Sequence, residues 1–264
     1  MKHMMKLLAL AGSTFLCVTA CKKDLKAPPQ DEVSQSVKDK IHNLGFTSSN
    51  VQKIPEGFLV EGDIIFTEAQ LDEVPDMQFL RVGDEEQYRT YNLVTGLPRT
   101  ISVRVSSSLP ASYVTATNNA IARYNAQNLQ LHFVRVTSGG NIVIRSAPSG
   151  AGYLASSGFP SGGNPYNQVL VNRNYLDTWN SNTVTSILAH EIGHAIGFRH
   201  TDFMNRSYSC GGSPVNEGAS SVGAVYIPGT ATGPDPNSWM LACISNGVNR
   251  PFNTNDKTAL NYLY

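Results

Sequence analysis

A mostly apolar run opens the chain, from Leu7 to Ala20, with Lys2 and Lys6 at its start. It is shorter than the roughly 18–20 residues that cross a bilayer and matches the core of a cleavable export signal, residues 1–20. A polar stretch with Pro28-Pro29 and no periodicity follows, and reads as a tether over 21–31. Val33, Val37, Ile41 and Leu44 then recur at helical spacing up to Gly45, and Phe58-Leu59-Val60 and Ile64-Ile65-Phe66 are short β-like runs. Residues 71–99 are mixed and charged, Gly83-Asp84-Glu85-Glu86 among them, and read as a connector that closes a small N-terminal unit over 32–98.

The pattern changes near Arg99. Ile101-Ser102-Val103-Arg104-Val105 alternates as a strand, Ser106 to Pro110 breaks it, and Val114, Thr117, Ile121 and Tyr124 mark the apolar side of a helix. Strands over 129–136 and 141–144 are split by Gly139-Gly140. A Gly/Ser/Pro-rich stretch from Ala147 to Asn167 precedes the strand Val169-Leu170-Val171 and a helix from Thr183 to Ile196. No repeat is visible, which excludes solenoids and propellers. Residues 99–264 form the second and larger unit.

Composition narrows the class. The 264 residues suffice for one medium catalytic domain plus a small segment. Twenty basic against 20 acidic residues give no electrostatic footprint for nucleic acid or an anionic membrane surface. The leader ends in Val18-Thr19-Ala20-Cys21, which resembles the lipobox of bacterial lipoproteins and implies that Cys21 is lipidated after cleavage. The other reading is a soluble secreted protein cut near Ala20. On the first reading the protein is an exported lipoprotein of the outer membrane, facing periplasm or exterior, that touches membrane only through this anchor. Cys17 leaves with the leader, so Cys210 and Cys243 remain, either as a disulfide in an oxidising compartment or as two separate thiols.

The chemistry lies in His190-Glu191-Ile192-Gly193-His194, continued by Ala195-Ile196-Gly197-Phe198-Arg199-His200. Histidines at i and i+4 share a helix face and can reach one metal ion, and Glu191 beside them can hold its water. Gly197 ends the helix in a left-handed turn, which lets His200 swing back as the third ligand. Three neutral nitrogens leave one position open, the arrangement of a catalytic zinc site; a closed structural site would want a fourth Cys or His, and none is near in sequence. His132, in Leu131-His132-Phe133, reads as an ordinary strand residue.

These residues resemble the extended zinc motif of metzincins, and their wording is similar to the bacterial HEIGH metallopeptidases, family M57, related to astacins. Asp235-Pro236-Asn237-Ser238-Trp239-Met240 resembles the Met-turn, with Met240 as the floor beneath the zinc. Phe252 to Asp256, leading into Ala259 to Tyr264, resembles the closing helix, and Ala120 to Asn125 the first one. Thr201 and Ala242 stand where astacins carry Glu and a metal-reaching Tyr. The resemblance implies an α+β fold: a twisted mixed sheet with two helices, one the active-site helix, and an irregular C-terminal subdomain with a final helix, behind a prodomain-like unit. It implies a zinc endopeptidase acting as a monomer on protein or peptide substrates, with Glu191 as general base and acid. The 151–171 region, with Tyr153-Leu154-Ala155, is either the edge strand that pairs with substrate or a surface loop.

Val60-Glu61-Gly62-Asp63-Ile64 resembles the Phe-x-Gly-Asp motif of astacin propeptides, whose aspartate displaces the catalytic water; Val60 stands in place of the Phe. Asp63 is thus a candidate latency ligand, the alternative being a plain turn between strands. Activation would need a cut in the connector, after Arg81 or Arg89. Two rival functions remain: a non-catalytic adhesion or binding lipoprotein on a metallopeptidase fold, and a metal-buffering lipoprotein. Retention of Glu191 argues against the first, and the absence of His-rich tracts against the second.

Overall fold

The computed structural model describes residues 33–44, 46–72, 87–214, 216, 224–231 and 235–264. The export signal, Cys21, the tether, Gly45 and Arg81 lie outside the described residues. In chain order the elements are α1 (Gln35–Asn43), β1 (Gln52–Ile54), β2 (Gly57–Val60), β3 (Ile64–Phe66), α2 (Glu68–Asp72), β4 (Tyr88–Arg89), β5 (Arg99–Val105), α3 (Ala111–Asn125), β6 (Leu131–Val136), β7 (Ile142–Ser146), β8 (Ala155–Gly158), β9 (Gln168–Val171), α4 (Arg173–Leu176), α5 (Ser181–Ile196), α6 (Ser207–Cys210), β10 (Val225–Tyr226) and α7 (Thr254–Leu263). Among them no helix is long and apolar enough to cross a membrane.

Strands β5, β6, β7 and β9 pair in parallel, as crossover connections require, while β8 runs antiparallel to β9. In β5 the alternation places Ile101 and Val103 inside, and α3 turns Tyr113, Ala116, Thr117, Ala120, Ile121 and Tyr124 onto the core. Val114 sits at the half-buried rim of that stripe. Helix α5 starts at Ser181, two residues ahead of the predicted start, and is capped by Asn180, whose side chain accepts from Asn182 N. It is buried on all sides from Thr183 to Ile196 and stops at Gly197, at φ 113°. A side chain there would strike Leu93 and the carbonyl of Asn92. His132 is exposed, as its strand position predicts.

The N-terminal unit is built into the same sheet. Strand β3 pairs in parallel with β8, Ile64 opposite Ser157 and Ile65 opposite Gly158, and β2 and β1 extend the sheet beyond it. Gly158 permits the approach, because a Cβ would lie 2.5 Å from the Ile65 carbonyl oxygen. A second apolar cluster joins Ile41, Phe46, Phe58, Val60, Ile64, Phe66 and Leu71 to Phe159. Full burial of side chains such as Ile64 or Phe66 stabilises by about 1.5–3 kcal/mol each.

Two expectations change. The 151–171 region does hold a strand, but it begins at Ala155, and its serines 156 and 157 are fully buried between β3 and β9. The connector is not featureless either. Arg89 lies in β4, paired with Val225 on one side and bridged to Phe198 on the other, and Thr90 N donates to Gly197 O. Arg89, one of the two candidate cut sites, thus lies in hydrogen-bonded backbone, whereas the other, Arg81, lies outside the described residues.

Candidate metal centre

Helix α5 brings His190 and His194 to one face, and the chain reversal at Gly197 returns His200 to the same point. The Nδ1–H of His190 donates to Trp239 O at 2.9 Å, and that of His194 to Phe198 O at 2.8 Å. Carbonyls only accept, so both rings carry their proton on Nδ1 and turn the Nε2 lone pair inward. The Nε2 atoms of His194 and His200 lie 3.2 Å apart. Burial pushes His194 down to about 4, which keeps its imidazole neutral.

A fourth donor comes from the N-terminal unit. Asp63 Oδ2 lies 2.9 Å from His200 Nε2, 3.6 Å from His190 Nε2 and 3.9 Å from His194 Nε2. One ligand atom from each of the four residues falls within 4.8 Å of the others, and all four residues are buried. Burial opposes the charged form of Asp63, yet His200, with the imidazoles of His190 and His194 beside it, holds its carboxyl well below the usual range. Among the described residues Asp63 Oδ1 has no hydrogen-bond partner. Three inward imidazole nitrogens and one carboxylate are hard and borderline donors in number and type for zinc, so the residues fit the ion.

Asp63 is delivered by a three-residue turn between β2 and β3. Glu61 and Gly62 both adopt left-handed backbone, at φ 55° and 90°. Glycine takes that conformation freely, whereas glutamate is strained by about 1–3 kcal/mol. The strain is held by contacts: Arg199 Nη2 donates to both Glu61 carboxylate oxygens at 3.0 Å, Thr47 N donates to Glu61 Oε1, and Arg206 donates to the Glu61 carbonyl. No local pattern in the sequence marks the Glu61–Arg199 pair.

Glu191 is buried beside the cluster, and among the described residues its Oε2 has no hydrogen-bond partner. Burial, then the charge of Asp63, pushes its carboxyl well above the usual range. Beneath the ligands Trp239 and Met240 pack on α5 at Gly193, where a Cβ would come 2.6 Å from Met240 Sδ. The glycine of the motif is therefore a packing requirement. Asp256 of α7 fixes this turn: Oδ1 accepts from Gln87 Nε2 and Ser238 Oγ, and Oδ2 from Trp239 N and Asn253 N. Cys210 and Cys243 form a disulfide, Cα atoms 5.0 Å apart, joining α6 to the chain just past Met240.

A ligand-bearing helix and a buried His/His/His/Asp set beside a glutamate make a candidate zinc centre. Residues 58–264 match the family described as dual-action HEIGH metallo-peptidase, and the chain belongs to that family. Among solved structures it is similar to high choriolytic enzyme 1, a hatching-enzyme zinc protease of the medaka fish Oryzias latipes. That match has 24% identity over 38% of this chain and 44% of the other, at a TM-score of 0.29. The chain thus spans less than half the length of that relative. Two structures of myroilysin match at 14% and 16% identity over 62% and 63% of this chain and 79% and 83% of theirs, at TM-scores of 0.40 and 0.41. No curated protein sequence matches.

Proposed function

We propose that the protein is an exported, lipid-anchored zinc endopeptidase that is made latent by Asp63. The convergence of Asp63 Oδ2 with His190, His194 and His200 in one buried point carries this reading. His190, His194 and His200 hold the zinc, and the Nδ1 bonds to Trp239 O and Phe198 O orient two of the rings. The bound ion supplies a lowered pKa for water, toward about 7, and polarisation of the scissile carbonyl.

Glu191 does the proton work. It accepts a proton as the water oxygen adds to the carbonyl carbon, and hands it to the amine nitrogen as the C–N bond breaks. Burial supports this role, since it raises the carboxyl well above the usual carboxylate range and so makes its anion a stronger base. In the latent form Asp63 fills the position that water needs, and β3 covers β8, the strand on which an extended peptide would lie. Release follows a cut within 73–86, which separates the active domain from the anchor at Cys21. The anchored form is the latent one.

The test is zinc content together with cleavage of an unfolded protein substrate, before and after a cut in 73–86. About one zinc per chain and hydrolysis that appears after the cut support the reading. Zinc without hydrolysis in either form favours a binding lipoprotein instead. Mass spectrometry of the mature N-terminus tests the anchor: a diacylated or triacylated Cys21 is expected, and an unmodified N-terminus at Cys21 contradicts it.

A further inference from the structure

Beside the metal centre a cavity of about 260 Å³ runs along α5, from His190 and Glu191 back to Ser186 and Ile187. Ser186 and His190 are four positions apart, about 6 Å of helix. That volume is below the roughly 300–1,000 Å³ of pockets for whole small molecules and suits a single side chain. Leu241 and Ile244 give it apolar walls, and Gly62 and Asp63 close its metal end. Its carboxylates, Asp63 and Glu191, both belong to the metal centre.

The other end carries Arg250, and that residue is built in. Its backbone N–H donates to Ser186 Oγ at 2.9 Å, its carbonyl accepts from Arg123 Nη1 at 3.0 Å, and its own Nη1 donates to Cys243 O at 2.8 Å. Among the described residues Arg250 is in none of the ion pairs, and Asp202 and Asp256 act on it only at longer range. Asp202 and Asp256 are themselves engaged, with Ala242 N and Ser209 Oγ, and with the four donors named above. Arg206, the other cation on the wall, is engaged with the Glu61 carbonyl. Burial lowers the Arg250 pKa, the direction for a cation without an anion at hand. A guanidinium fixed by one carbonyl keeps its remaining N–H groups for a planar carboxylate.

We propose that Arg250 is the specificity determinant of this peptidase, and that the cavity receives an aspartate or glutamate of the substrate on the leaving-amine side of the scissile bond. The side follows from Glu191: it lines the cavity, and it is the group that hands a proton to the leaving amine. A peptide that replaces Gly62-Asp63 therefore presents the side chain next to that amine to the cavity. The inference rests on the zinc endopeptidase reading.

The experiment uses the zinc-loaded, full-length Asp63→Ala chain and a peptide series that differs only after the scissile bond: Asp, Glu, Asn, Gln and Leu. The expected kcat/KM for Asp or Glu is at least about tenfold that for Asn or Gln, as for a charge-assisted hydrogen bond in a part-buried site. Arg250→Met brings acid and amide peptides within about twofold and moves preference toward Leu, while Arg250→Lys keeps part of the acid preference. The acid–amide ratio with Arg250 intact needs no change at that residue, so misfolding of a variant cannot mask it. Equal kcat/KM for acid and amide, or an acid preference that survives Arg250→Met, overturns the assignment and leaves the peptidase reading intact. Cleavage of no peptide by this chain or by the same chain cut within 73–86, with zinc bound in both, overturns the peptidase reading and the assignment with it.

Discussion

Glu61 and Arg199, 138 positions apart in the chain, form an ion pair from which solvent is wholly excluded, each side chain 0% exposed. The guanidinium is also sandwiched, 4.1 Å from the Phe46 ring centroid and 5.0 Å from that of Phe203. Arg199 precedes the third ligand and Glu61 lies two residues before Asp63, so the pair clamps the turn that delivers the carboxylate to the loop that delivers His200. Removing one partner of such a pair strands a buried charge, at about 3–5 kcal/mol. Glu61→Ala is expected to lower unfolding free energy by that amount and to raise hydrolysis by the uncut chain. Chemical denaturation and a peptide assay check both, and unchanged stability contradicts the clamp.

Asp63→Ala is the direct test of latency. The uncut variant is expected to hydrolyse peptide at least about tenfold faster than wild type at saturating zinc, since the competent state no longer competes with the carboxylate. Equal rates in the two chains show that Asp63 inhibits nothing.

Replacing Cys210 and Cys243 together by Ser opens a loop with a sequence separation of 33. Restriction of the unfolded chain predicts a loss of about 3–4 kcal/mol on a chain-entropy account. Zinc is expected to stay bound, because no ligand lies between the cysteines. Denaturant titration and metal analysis of the double variant decide the matter, and a loss below about 1 kcal/mol contradicts it.

Burial pushes Asp256 up to about 6, against the four hydrogen bonds that favour its charged form. Against an unfolded value near 3.9, the folded state binds the extra proton between about pH 4 and 6. This contribution is fully present below pH 4 and is lost as pH rises through 6, on the order of 3 kcal/mol. Asp256→Asn should remove that downward slope while leaving one donor pair poorly accepted, so the variant's stability should be flatter over pH 4–6. Identical slopes in variant and wild type contradict the assignment.

The ligand helix was legible because its information is local: His190, His194, the Gly197 stop and His200 fall within eleven consecutive positions whose spacing is fixed by helix geometry. The course of β5, α3, β6, β7 and β9 was legible for the same reason, through period. Strand β8 was not, since Ala155-Ser156-Ser157-Gly158 has little strand propensity and is a strand only because β3 and β9 flank it. Small residues are needed there to let β3 approach, so the feature that defines the contact erases its signal. The clamp from Glu61 to Arg199 was silent too, as were Asp256 beneath the Met-turn and Arg250 at the end of the cavity. Each gains its role from a partner far along the chain.

The central claim is that Glu191 moves the proton while the histidines hold the metal. The measurement that tests it most directly is the hydrolysis rate of the uncut Asp63→Ala chain with and without Glu191→Gln, at equal measured zinc. Loss of a general base and acid predicts a rate lower by about 10²–10⁴-fold with zinc content unchanged. A Glu191→Gln chain that cleaves as fast as its parent contradicts the account.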